Sequence, residues 1–123
     1  MTKVMLIDDN GALRLILSDM LEEMDCSVIE AKDGVEAMRL AARKKPDLIV
    51  TDIMMPNMDG IQTINELRRC YGGIPIIAIS GGQSDDDSKS LAHAKAEGAD
   101  KVLQKPFSFS DFESSVRTLL GDA

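Results

Sequence analysis

Asp8, Asp9, Asp52, Ser80 and Lys105 are the residues whose types and order could do chemistry. Each follows a short strand-like stretch: the apolar run Val4–Ile7 ends in the two acids, Leu48–Val50 leads to Asp52, Pro75–Ile79 ends at Ser80, and the short strand Lys101–Leu103 is followed by Gln104, Lys105 and Pro106. Three carboxylates brought together repel, since two unit charges about 4 Å apart cost ~4 kcal/mol at an effective dielectric of about 20. Such a cluster must protonate, splay apart or hold a cation. A hard divalent ion that keeps several waters, such as Mg²⁺, suits carboxylate ligands. Lys105 adds a positive point charge and Ser80 a hydroxyl donor. Acids, metal, lysine and hydroxyl together suit phosphoryl chemistry. An aspartate can then serve as the nucleophile and form an acyl phosphate.

Taken singly, each residue has an ordinary structural reading. An Asp at a strand end forms a turn or caps a helix, a Ser after a strand caps, and a Lys before Pro is solvated. Agreement at four run ends, in order, carries the functional reading. Other residues keep the plain one. His93 lies among Ala and Lys on a helical stretch and is expected on the surface. Met54, Met55 and Met58 read as loop packing rather than thioether ligands. Asp85–Asp87 read as a solvated helix start, and Cys26 and Cys70 show no metal or redox spacing.

The elements that must position the five residues follow from the pattern. Unbroken apolar runs of this length suit strands buried on both faces of a parallel sheet. Between them, Leu13, Ile16, Leu17, Met20, Leu21 and Met24 recur at helical spacing after a cap at Asp9 or Asn10. Ser27–Ala31 reads as a short strand. Asp33 and Gly34 form a turn into a helix carrying Val35, Met38, Leu40, Ala41 and Ala42, closed by the basic turn Arg43–Lys45 before Pro46. Pro56, Asp59 and Gly60 end the Leu48–Asp52 strand and start a helix with Ile61, Ile64 and Leu67. A helix over roughly 88–97 stops at Gly98. Ser108 or Ser110 caps a last helix with Phe112, Val116, Leu119 and Leu120 inward. The alternation βαβαβαβαβα predicts parallel strands, right-handed crossovers and helices on both faces. In such sheets the site lies beyond the carboxyl ends of the strands, where the five residues stand.

The bulk composition narrows the classes. With 123 residues, one domain is expected. The net charge of −7 argues against binding nucleic acid or an anionic membrane. No leader pattern and no spanning stretch is seen, so the expectation is a soluble, cytoplasmic chain with reduced thiols and no membrane insertion.

The sequence resembles the receiver domain of two-component response regulators over essentially its whole length. The resemblance rests on Asp8-Asp9, the segment DIMMPNMDG from Asp52 to Gly60, Ser80, and Lys105-Pro106-Phe107. It implies one receiver domain over 1–123 without an output domain, folded as a single doubly wound, flavodoxin-like (βα)5 sheet. It further implies that Asp52 accepts phosphate from a sensor kinase histidine or a histidine phosphotransfer protein. Mg²⁺ would then be held by Asp9 and Asp52 side chains and the Met54 carbonyl, with Asp8 acting through water. Lys105 would contact the phosphoryl oxygens, and Ser80 would turn toward them as the switch. The chain would act on a downstream protein and would catalyse only its own phosphorylation and dephosphorylation.

Two departures stand out. The family often has an aromatic residue three before the lysine, where this chain has Val102, and the segment from Ser80 to Lys105 is longer than common. Three rival readings use some of the same residues. A small aspartate-nucleophile phosphatase would show DxD, whereas the chain has Asp8-Asp9-Asn10. A flavodoxin-like nucleotide or flavin binder would want a Gly- or Ser/Thr-rich phosphate loop after the first strand, and Gly11–Arg14 matches poorly. A relay role, passing phosphate to another histidine, uses the same residues.

Overall fold

The structure, a computed structural model, describes residues 2–53, 60–80, 98–105 and 107–121. The expected helix near 88–97, His93, Asp85–Asp87, Met54, Met55 and Met58 lie outside the described residues. The elements are β1 (Lys3–Ile7), α1 (Gly11–Glu23), β2 (Ser27–Ala31), α2 (Gly34–Lys44), β3 (Leu48–Asp52), α3 (Gly60–Cys70), β4 (Ile76–Ser80), β5 (Lys101–Gln104) and α4 (Phe109–Leu120). All strand pairs are parallel, in the order β2-β1-β3-β4-β5. The chain moves from β1 to one side for β2, then to the other for β3. β1 and β3 therefore flank the point where the order reverses.

Every residue of β3 and β4 is buried, as unbroken apolar runs require when helices cover both faces. Side chains alternate across the sheet. Val4, Leu6, Leu48, Val50, Ile77 and Ile79 pack with Leu17 and Leu21 of α1 and Phe112 and Val116 of α4. Met5, Ile7, Ile49, Ile76 and Ala78 pack with Ala37 and Ala41 of α2 and Ile64 and Leu67 of α3. Phe112 is wholly buried, a contribution of about 3 kcal/mol by the usual area relation.

Local chemistry sets the helix ends. Asn10 accepts hydrogen bonds from the N–H groups of Ala12 and Leu13 at 3.0 and 3.2 Å, which decides the α1 cap between the two candidates. Asp33 caps α2 by accepting from Glu36 N at 2.8 Å. Lys45 closes α2 in the left-handed region at φ 51°. Ser108 accepts from Asp111 N at 3.0 Å and starts α4.

Three apolar residues named from the helical spacing, Ile16, Val35 and Ala42, stand exposed in the structure, the first two at 52% and 58%. The buried side of α1 is the row Leu17, Leu21 and Met24, and Ile16 stands about 100° away from Leu17 around the axis. Val35 sits in the first turn of α2, where Ala37 and Ala41 face the sheet.

Candidate functional site

The register builds the site. Ile7 is level with Thr51, so the next residues, Asp8 and Asp52, come side by side at the carboxyl ends of adjacent strands. Asp8, Asp9 and Asp52 each offer a carboxylate oxygen, and these oxygens lie within 4.8 Å of one another. Asp8 and Asp52 are buried and Asp9 is exposed. Two acids thus form the floor and one the rim.

Asp8 is held from several sides. Its N–H donates to Ala31 O at 3.1 Å. Its carboxylate accepts from Asn10 N at 2.8 Å. Its carbonyl accepts from Arg14 Nη1 at 2.6 Å. Burial pushes the Asp8 carboxyl above its ordinary value, and the negative charge of Asp9 adds to this. The Asn10 N–H, Lys105 and Arg14 act in the opposite direction, and burial prevails. Lys105 follows β5 at the same edge of the sheet, and its positive charge acts to lower the Asp8 carboxyl.

Ser80 closes the far side. It ends β4, is fully buried, and its Oγ has no hydrogen-bond partner among the described residues. Its carbonyl accepts from Lys105 N at 2.8 Å, so the serine and lysine are tied through the main chain. The Ile53 N–H donates to Ile79 O at 2.9 Å and extends the β3–β4 ladder past Asp52. Val102 is half-buried and packs against the α2–α3 side of the core, level with Ala78.

The structure therefore places Asp8, Asp9, Asp52, Ser80 and Lys105 at one edge of the sheet. Met54, a ligand implied by resemblance, lies outside the described residues. The donor set fits a hard divalent cation: three carboxylates converge, two of them buried, and among the described residues no thiol or imidazole joins them. Arg14 had no place in the sequence reading. Its partner is a main-chain carbonyl, which leaves no trace in residue type, and only the spacing of six residues from Asp8 into the first turns of α1 hints at it.

Comparison with known proteins agrees with this geometry. Residues 4–117 match the family described as the response regulator receiver domain. This chain belongs to that family. It is 36% identical over 118 residues to "Response regulator MprA" of Mycobacterium leprae, a match covering 96% of this chain and 50% of the relative. It is also 36% identical to "Probable transcriptional regulator ycf27" of Porphyridium aerugineum, covering 96% of this chain and 48% of the relative. The chain thus spans about half the length of these curated relatives. Among solved structures, the receiver domain of the Francisella response regulator 1452 matches at TM-score 0.87 and 30% identity, covering 98% of each chain. The chemotaxis protein CheY4 of Vibrio cholerae matches at TM-score 0.86 and 29% identity, covering 97% of this chain and 98% of the other. A receiver domain protein from Clostridium thermocellum, 23% identical, matches at TM-score 0.91 over 98% and 95% of the two chains and shares the fold. The chain is a receiver domain of two-component systems, and such domains work with histidine kinases and downstream effectors.

Proposed function

We propose that this receiver domain, taken as one module over residues 1–123, is switched by Mg²⁺-dependent phosphorylation of Asp52. An oxygen of Asp52 takes the phosphoryl group as the phosphorus–nitrogen bond of a phosphohistidine, on a sensor kinase or a phosphotransfer protein, breaks. The observation that carries this reading is the convergence of the Asp8, Asp9 and Asp52 carboxylates within 4.8 Å, at the point where the strand order reverses. Those three acids would hold the metal, which supplies neutralising charge for the phosphoryl oxygens. Lys105 adds a second positive charge on the β5 side. Ser80 Oγ supports a switch role, because a buried hydroxyl that finds no partner among the described residues is a donor held ready for a new acceptor. Asp52 phosphate gives it one, and the exchange draws β4 toward the site. The output is read as a protein contact in the cytoplasm. A net charge of −7 opposes direct binding to a nucleic-acid duplex.

Incubation with a small phosphodonor such as acetyl phosphate, followed by intact-mass measurement, tests the reading. Mass should rise by one phosphoryl group with Mg²⁺ and stay unchanged with a chelator. Asp52→Asn should abolish the gain. Label retained in that variant, or gained equally in the chelator, overturns the assignment.

A further inference from the structure

We propose that Arg14, held by Glu30, is a positioning residue that sets the Asp8–Asp9 peptide for metal binding. The inference rests on the reading of the three acids as a metal site. Asp9 is the exposed member of that cluster, and no hydrogen bond to its carboxylate is found among the described residues. Its placement depends on the peptide that carries it. The carbonyl of that peptide belongs to Asp8, and Arg14 Nη1 donates to it at 2.6 Å. The same guanidinium donates through Nε to Glu30 at 3.3 Å. Glu30 lies on β2, the edge strand, level with Leu6 of β1. One rigid planar group thus ties α1, the end of β1 and β2 together at the rim of the site. Lysine has no such fork and would satisfy one acceptor at a time.

Three roles for Arg14 differ in the sign of their effect on Mg²⁺ affinity. As a mere counter-charge, Arg14 would compete with the metal, and its removal would tighten Mg²⁺ binding. As a mere structural tie, its removal would lower the melting temperature and leave Mg²⁺ affinity alone. As a positioning residue, its removal weakens Mg²⁺ binding although a positive charge has been taken away. Outer-sphere groups that orient metal ligands affect affinity by about 10-fold or more.

The test is Mg²⁺ titration of the unphosphorylated chain, followed by the amide NMR signals of residues 8–10, for wild type, Arg14→Met, Arg14→Lys and Glu30→Gln. Arg14→Met should raise the dissociation constant about 10-fold. Arg14→Lys should also raise it, despite keeping the charge. Glu30→Gln, a surface change that keeps the fold, should give a smaller rise in the same direction. Unchanged or tighter binding in Arg14→Met and Arg14→Lys overturns the inference while leaving the site reading intact. If Arg14→Met does not fold, Arg14→Lys and Glu30→Gln decide, and wild-type affinity in both overturns it. Wild type that shows no response to Mg²⁺, or an Asp52→Asn variant that binds as well as wild type, overturns the site reading itself and the Arg14 role with it.

Discussion

Asp8 is the residue on which opposing forces meet most closely. It is 1% exposed, beside another buried acid, and its carboxyl is raised above the ordinary 3.8 with burial as the largest cause. A raised value means the folded chain binds this proton more tightly than the unfolded chain does. Its contribution to stability is therefore greatest at low pH, with Asp8 protonated in both states. It declines as pH rises from the ordinary value through the raised one, and stays low above that. Asp8→Asn removes the ionisation and keeps an oxygen to accept from Asn10 N. Metal-free Asp8→Asn should thus be more stable than wild type at pH 7, and the difference should shrink as pH falls toward 3.8. Urea unfolding at several pH values with chelator present measures it. A variant less stable at pH 7, or a difference that grows with acidity, would falsify the account. The acids themselves were legible in the sequence because each interrupts or ends an apolar run. Arg14 was not, because main-chain acceptors are anonymous in a sequence.

At the level of elements, strands were the most legible. β2 and β3 run over the residues that the pattern indicates, Ser27–Ala31 and Leu48–Asp52; β3 is buried throughout, which demands apolar residues at its core positions, whereas β2, at the sheet edge, buries only Ala31. Helix faces were less so, as Ile16 and Val35 show: an apolar residue at an adjacent position looks alike whether it faces the sheet or solvent. Least legible was the clamp at the opposite end of the sheet. Arg68, in the last turn of α3, donates to the carbonyls of Gly72 at 2.6 Å, Ile74 at 3.0 Å and Gly98 at 2.6 Å, and to the Asp100 carboxylate at 2.6 Å. Asp100 in turn accepts from Ile76 N at 2.8 Å. The starts of β4 and β5, the strands that carry Ser80 and lead to Lys105, are thereby fixed to α3. Gly98 has φ +128°, and a Cβ there would lie 3.1 Å from both Arg68 Cγ and Nε. Gly98→Ala should cost about 2 kcal/mol from backbone strain and that contact. Arg68→Ala should cost a similar amount, about 2 kcal/mol, through carbonyls left unpaired. Arg68→Ala removes the Cγ and Nε contacts while the Cβ contact at 3.3 Å remains. The double variant should therefore lose less than the sum. Denaturant unfolding of the four proteins checks it, and strict additivity would sink the clamp.

For the whole molecule, the sheet arranges a division of ends. The amino-terminal ends of β4 and β5 are tied down by Arg68, and Lys3 N and Nζ bind the Asp47 carboxylate and the Lys44 carbonyl at 2.8 and 2.7 Å near the start of β1. The carboxyl-terminal ends gather negative charge and a buried hydroxyl that has no partner among the described residues. Like charges held at one end destabilise the folded chain, and the net charge of −7 works the same way. A divalent cation bound there removes the repulsion in the folded state and has no equivalent site in the unfolded chain. Stability should then rise with Mg²⁺ by mass action, about 1.4 kcal/mol when the ion is at ten times its dissociation constant. For a domain of this size that is a melting shift of roughly 4–7 °C. Calorimetry should show the shift with MgCl2 and a much smaller one with NaCl at equal ionic strength, since screening alone answers both salts alike. Asp9→Asn leaves the two buried acids in place and removes the exposed ligand, so it should lose most of the Mg²⁺-specific part. A shift that is the same for both salts, or that persists in Asp9→Asn, would mean that the three carboxylates are only a concentration of charge and not a metal site.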